Sequence, residues 1–147
     1  MTPTDSSVAE TRAELLAAAT PAELTDLAER LMTAGLQGLT VVKPPKTGMV
    51  VMQVREPVAE ERFFLGEVLV TECTVDVDGA LGWAMREGDD RVAALAAAVL
   101  DAVVAAAHPA APEVEALCER VSARRDAARL AEWNEIAATV VEFEDLP

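Results

Sequence analysis

The sequence predicts an α+β domain: a four-stranded antiparallel sheet packed against N-terminal and C-terminal helices. Three observations predict it. Two segments with helical apolar spacing open the chain. Strand-like segments joined by short turns follow, among them an Asp78-Gly79 hairpin signal. Alanine-rich helical stretches then close it. Helices, then strands, then helices is the element order of an α+β fold. At 147 residues one domain over 1–147 is expected, long enough to bury a core.

Residues 1–7 are polar and are expected to be disordered. Val8–Ala19 reads as a short helix anchored by Val8, Leu15 and Leu16. Thr20-Pro21-Ala22-Glu23 is a helix start: Thr20 caps, Pro21 suits the first turn and Glu23 closes a capping box. That second helix runs to Thr33 with Leu24, Leu27, Leu31 and Met32 on its apolar face, and Gly35 supplies the left-handed stop.

Leu39–Lys43 reads as a strand, Pro44-Pro45 interrupts it, and Lys46-Thr47-Gly48 makes a turn. Met49–Arg55 is a second strand, ended by Pro57. Phe63–Asp78 is a long third strand with a bend at Gly66. Its Leu69, Thr71, Cys73, Val75 and Val77 share one face; Glu72, Thr74 and Asp76 bring the other to water. Ala80–Arg86 returns as the fourth strand.

Asp89 or Asp90 caps the helix Arg91–Ala107, which is apolar nearly all round and is expected to lie buried on the sheet. His108-Pro109 breaks it. The last helix starts at Glu113 and reaches at least Trp133, with Val114, Leu117, Cys118 and Val121 as its stripe. Beyond Val121 the stripe thins, as in an arm that reaches a partner. Residues 134–147 are expected to be a partner-contacting tail.

Several function classes are excluded on composition. The net charge of −14 argues against nucleic acid, because phosphate binding needs clustered Lys and Arg. No long uncharged apolar run exists, so no membrane span is expected. The N-terminus has neither the basic nor the apolar region of a secretory signal, so a cytoplasmic location is expected. With only His108 and two separated cysteines, Cys73 and Cys118, no metal site is expected. Both thiols read as buried and structural. His108, before a proline at a helix end, reads as a capping or exposed residue. Asp76, Asp78, Asp89 and Asp90 fit turn and cap chemistry. No catalytic constellation is visible.

Two features point to contacts with other proteins. Phe63, Phe64 and Trp83 hold most of the aromatic content in one hairpin region. Adjacent rings on a strand face opposite ways, so one can enter the core while the other goes under a helix or into a partner. Arginine beside exposed aromatics, as at Arg62, is an interface composition. The second feature is the run Arg120, Arg124, Arg125 and Arg129. It is either a solvated set paired with Glu115, Glu119, Asp126 and Glu132, or an electropositive ridge for an acidic partner or a polyphosphate. The alanine-built core also carries little apolar area per residue, which invites stabilisation by partner subunits.

Nearly the whole chain, in order, resembles the phosphonate metabolism family PhnG, the small G subunits of the bacterial carbon–phosphorus lyase core complex. The residues that carry the likeness are Thr11–Leu31, Thr47-Gly48-Met49-Val50, the run from Arg62-Phe63-Phe64 through Gly66-Glu67 to Thr71, Gly82-Trp83 with Gly88 and Asp90, and Asp101-Ala102. The family pattern has Gly-Arg-Asp at the hairpin end with a histidine soon after; here it reads Gly88-Asp89-Asp90 and Ala93. The tail Val140–Asp145 also departs from the family's.

The resemblance implies a non-catalytic or co-catalytic subunit of the assembly that moves the ribose 5-triphosphate moiety of MgATP onto an alkylphosphonate. Adenine leaves. It implies the I, H and J subunits as partners and the L subunit as a transient one. MgATP is then a substrate of the complex, and this chain binds no cofactor. Arg62, Phe63, Phe64, Gly66, Glu67, Trp83, Arg124, Arg125 and Arg129 are the candidate partner-interface residues; none is expected to be catalytic. A stand-alone acidic scaffold module without activity is the alternative reading, and an independent small hydrolase a weaker one.

Overall fold

The computed structural model describes residues 3–137. Seven elements follow in order: α1 (Pro3–Ala18), α2 (Pro21–Thr33), β1 (Leu39–Arg55), β2 (Arg62–Val77), β3 (Ala80–Glu87), α3 (Arg91–Ala105) and α4 (Ala111–Ala137). The class is α+β, but the sheet has three antiparallel strands in the order β1-β2-β3, not four. The two expected strands on either side of Pro44-Pro45 are one, β1. Proline lacks a ladder donor, yet β1 is an edge strand, and its register with β2 slips between Val41 and Lys43 and again between Lys43 and Lys46. The bulges absorb the prolines without ending the strand.

The helix starts are encoded locally. The Thr20 hydroxyl accepts from the Glu23 amide at 3.3 Å and Glu23 accepts from the Thr20 amide at 2.8 Å, a closed capping box. Asp90 caps α3 by accepting from the Ala93 amide at 2.9 Å. The β2–β3 turn has Asp78 and Gly79 both left-handed, at φ 51° and 87°, the pair of conformations that a tight primed turn needs. The first helix begins at Pro3 rather than Val8, so residues 3–7, expected to be disordered, belong to it. Met32, expected on the core face of α2, is exposed, and Ala28 takes that place.

The core lies between one sheet face and α3. Thr71, Cys73, Val75 and Val77 of β2 are fully buried, with Ala84 of β3 beside them. Gly82 lets the helix come close: a β-carbon there would overlap the Ala98 carbonyl oxygen and the Ala102 amide nitrogen. Alanines line the matching side of α3, with Ala93, Ala97, Ala98 and Ala102 fully buried. The outer helices complete the burial through Leu16 of α1, Leu24 of α2, and Leu117 and Val121 of α4. None of the described aromatic side chains is in this core.

One charge sits inside α3. Asp101 accepts from Arg12 Nε at 2.6 Å and from the Trp83 backbone amide at 2.9 Å. It thereby joins α1, α3 and the free edge of β3, and the buried carboxylate is both paired and hydrogen-bonded. Arg86 makes a second tie, donating to the carbonyls of Leu16, Ala17 and Ala19 at 2.7–2.9 Å and closing the C-terminal end of α1.

Candidate docking surface

β2 outruns β3. The β2–β3 ladder stops at Val70 opposite Glu87, while β1 and β2 stay paired as far as Arg55 opposite Arg62. The consequence is a two-stranded ribbon, residues 48–69, that reaches past the body of the domain. Its root is fixed by a small polar node. Thr71 Oγ1 donates to the Gly88 carbonyl at 2.8 Å, which leaves Thr47 Oγ1 to donate to Thr71 Oγ1 at 3.0 Å.

The ribbon is apolar without being covered. Met49, Val51, Met52, Phe63, Phe64, Leu65 and Leu69 are all exposed, Phe64 at 72%. A bulge places Leu65 as the extra residue, since Met52 faces Gly66 and Gln53 faces Phe64. The expected bend at Gly66 therefore lies beside this bulge. By alternation along β1, Phe63 opposite Val54 shares a side with Met52 and Val50, and Phe64 opposite Gln53 lies on the other side. Neither ring enters the core, so the inward place that alternation left open to one of them is not taken. Burying both sides of such a ribbon takes a partner that wraps it or clasps it from two directions.

The other site residues fall into separate places. Arg62 and Glu67 are exposed on the ribbon with the two rings and Gly66. Trp83 is 43% exposed and sits on the sheet face turned away from α3, in line with Leu81 and Met85. Arg124 is not a free cation: its guanidinium grips Glu23 with two bonds, at 2.9 and 3.1 Å, and fastens α4 to the start of α2. That contact, with the Thr20 amide, draws the Glu23 carboxyl down from 4.5 to about 2. Arg129 meets Asp126 at 3.8 Å. Arg125 and Arg129 line a shallow cleft with Thr11, Glu14 and Ser122. This set lies on α4, which packs on α1 and α3 and is tied to α2 through Arg124, so it is not part of the ribbon.

The distal part of α4 is a second projection. Every residue from Asp126 to Ala137 is exposed, and Leu130, Trp133 and Ile136 make a stripe along one side. Residues 138–147, the rest of the expected contact tail, lie outside the described residues.

The cysteines and the histidine of the described residues hold structural positions. Burial pushes both the Cys73 and Cys118 thiols up, away from the thiolate form a nucleophile needs. His108 Nδ1 accepts from the Ala110 amide at 3.1 Å, a turn contact. Among the described residues no group of three or more His, Cys, Asp or Glu is placed to hold a metal, and no helix is long and apolar enough to cross a membrane.

Sequence reasoning missed Arg12, Asp101 and Arg86. One signal for Asp101 was present: a single charge within the apolar stretch of α3 that needs a partner once buried. Arg12 and Arg86 carried no such signal, because their partners are distant in sequence.

The molecule is thus a small α+β domain whose described aromatic rings are all outside its core. The family model for phosphonate metabolism protein PhnG matches residues 10–146, and the chain belongs to that family. It is similar to the alpha-D-ribose 1-methylphosphonate 5-triphosphate synthase subunit PhnG of Rhizobium meliloti (strain 1021), at 39% identity over 104 residues. That alignment takes in 69% of this chain and 65% of the relative, so the chain spans just under two thirds of that protein's length. Where the family pattern expected from the sequence has a histidine, Ala93 is fully buried in the first turn of α3, and its amide donates to the capping Asp90.

Proposed function

We propose that this chain is a subunit of a ribose 1-methylphosphonate 5-triphosphate synthase. That assembly breaks the bond between adenine and the anomeric carbon of MgATP's ribose and joins that carbon to an oxygen of an alkylphosphonate such as methylphosphonate. In this reading the chain contributes binding surface, as a non-catalytic or co-catalytic partner of the I subunit. The H and J subunits complete the core and the L subunit joins transiently. The chain works in the cytoplasm, holds no cofactor of its own, and contacts neither nucleic acid nor membrane.

The observation that carries the proposal is the ribbon: Phe63 and Phe64 exposed on its opposite sides, in a chain whose relative is named as a synthase subunit. Large exposed rings rimmed by Arg62 and Glu67 have the composition of an interface core waiting for its cover. The arginine set adds less, since Arg124 is already engaged.

Co-expression with the I subunit of the same organism tests this. The two chains are expected to co-elute, and Phe63→Ser with Phe64→Ser is expected to release the I subunit while leaving this chain folded. Transfer of the ribose 5-triphosphate moiety of MgATP to methylphosphonate is expected only with the assembled subunits. A monomeric chain that never retains the I subunit would sink the proposal and favour the scaffold reading.

A further inference from the structure

A separate groove runs between α1 and the edge of the sheet. Ala13 and Ala17 of α1 form one wall, and Val70, Trp83 and Met85 form the floor, enclosing about 440 Å³. Glu10, Glu14 and Glu87 stand on its rim. Arg86 also lines it, but its guanidinium is occupied by the three carbonyls at the end of α1, so it offers an incoming anion little. The groove therefore combines an apolar floor, one half-exposed indole and a rim of carboxylates.

We propose that this groove receives a basic amphipathic segment of a partner polypeptide, one whose aliphatic side lies on Val70 and Met85 while a Lys or Arg passes Trp83 towards Glu14 and Glu87. The charge of the rim selects the occupant. A lysine or arginine stem can lie along the indole while its head reaches a carboxylate, gaining both a cation–π contact and an ion pair. The chain's own residues 138–147 carry Glu142, Glu144 and Asp145 and no Lys or Arg, so that segment is repelled by the rim. A second copy of this chain, at a net charge of −14, is repelled over longer range as well. The inference goes beyond the synthase reading and does not depend on it, because neither Phe63 nor Phe64 lines the groove.

The test uses the full chain with Trp133→Phe, which leaves Trp83 as the sole indole. The probe is a synthetic peptide with leucines on one helical side and lysines on the other. Trp83 emission is expected to shift to the blue and saturate, and the affinity is expected to fall about tenfold when salt is raised from about 0.05 to about 0.5 M. Glu14→Gln with Glu87→Gln is expected to weaken binding about fivefold, whereas Asp26→Asn with Glu29→Gln, on α2, is expected to leave it unchanged. The same peptide with glutamates in place of lysines is expected not to bind.

The inference is overturned if the shift is absent, or if both peptides produce it equally. It is also overturned if the two neutralised pairs weaken binding alike, which would mean a diffuse acidic surface. A blue shift that grows with protein concentration alone would make the occupant a second copy and overturn it too. No synthase subunit enters this assay, so its failure is distinguishable from failure of the functional proposal.

Discussion

Arg12 and Asp101 meet at 2.6 Å across the α1–α3 boundary, with their side chains only 15% and 11% exposed. The same carboxylate accepts the Trp83 amide, so one acid holds a helix and a strand edge together. Replacing it by an apolar residue leaves both a guanidinium and a backbone donor without their partner. Asp101→Leu is expected to cost about 3 kcal/mol, read as a lowered urea midpoint. Adding Arg12→Met is expected to restore part of that loss, because the stranded cation is then gone too. If the double variant is less stable than Asp101→Leu alone, the pairing is not what holds α1 in place.

Gly82 sets how closely α3 lies on the sheet. Gly82→Ala places a methyl against the backbone of Ala98 and Ala102, which neither atom can avoid by a side-chain rotation. A destabilisation of about 2 kcal/mol is expected, with α3 lifted and the Trp83 environment altered. An alanine variant as stable as the parent would mean that Gly82 does not set the spacing between α3 and the sheet.

Exposed rings and buried leucines should separate stability from association. Phe64→Ser is expected to change folding stability by no more than about 0.5 kcal/mol, and Phe63→Ser, at a half-exposed ring, by no more than about 1 kcal/mol. Leu100→Ala, at a fully buried position of α3, is expected to cost about 3 kcal/mol. Chemical denaturation of the isolated chain distinguishes them. A large loss from Phe64→Ser would show that the ring is packed in solution.

Acid should weaken the strap between α2 and α4. The Glu23 carboxyl is held at about 2, against an ordinary value of 4.5, by the Arg124 guanidinium first and the Thr20 amide second. A depressed folded-state value means that the ionised form is the one folding favours. The contribution is therefore complete above about pH 4.5 and is lost as pH falls towards 2. Glu23→Gln is expected to flatten the stability profile across that window. In Arg124→Ala the Glu23 carboxyl, followed by NMR, is expected to titrate at higher pH than in the parent. An unmoved titration would remove Arg124 as the cause.

Much of the fold was written locally. Thr20-Pro21-Ala22-Glu23 announced the start of α2, and Asp78-Gly79 the turn between the paired long strands. The alternation from Thr71 to Val77 marked the face that α3 covers. The strand count failed at Pro44-Pro45, because whether a proline ends a strand depends on which side of it needs a donor, and that is settled by the neighbouring strand. The candidate site was half legible. Aromatic content picked out Phe63, Phe64 and Trp83, but only the early end of β3 shows that the ribbon stands clear of the body. The Arg124–Glu23 tie could not be read from the sequence, because the two residues lie far apart along it. The groove beside α1 was invisible for a similar reason: its walls come from residues that only the fold makes neighbours.

The ribbon's rims carry a consequence of their own. Beyond Val70 the outer edge of β2 has lost its third strand, so backbone donors and acceptors stand ready beside greasy side chains. A chain made faster than whatever sheathes this hairpin would tend to zip to its own kind, edge against edge, into aggregates. Balanced synthesis, with the cover present as the hairpin emerges, is what such a shape demands of the cell that makes it.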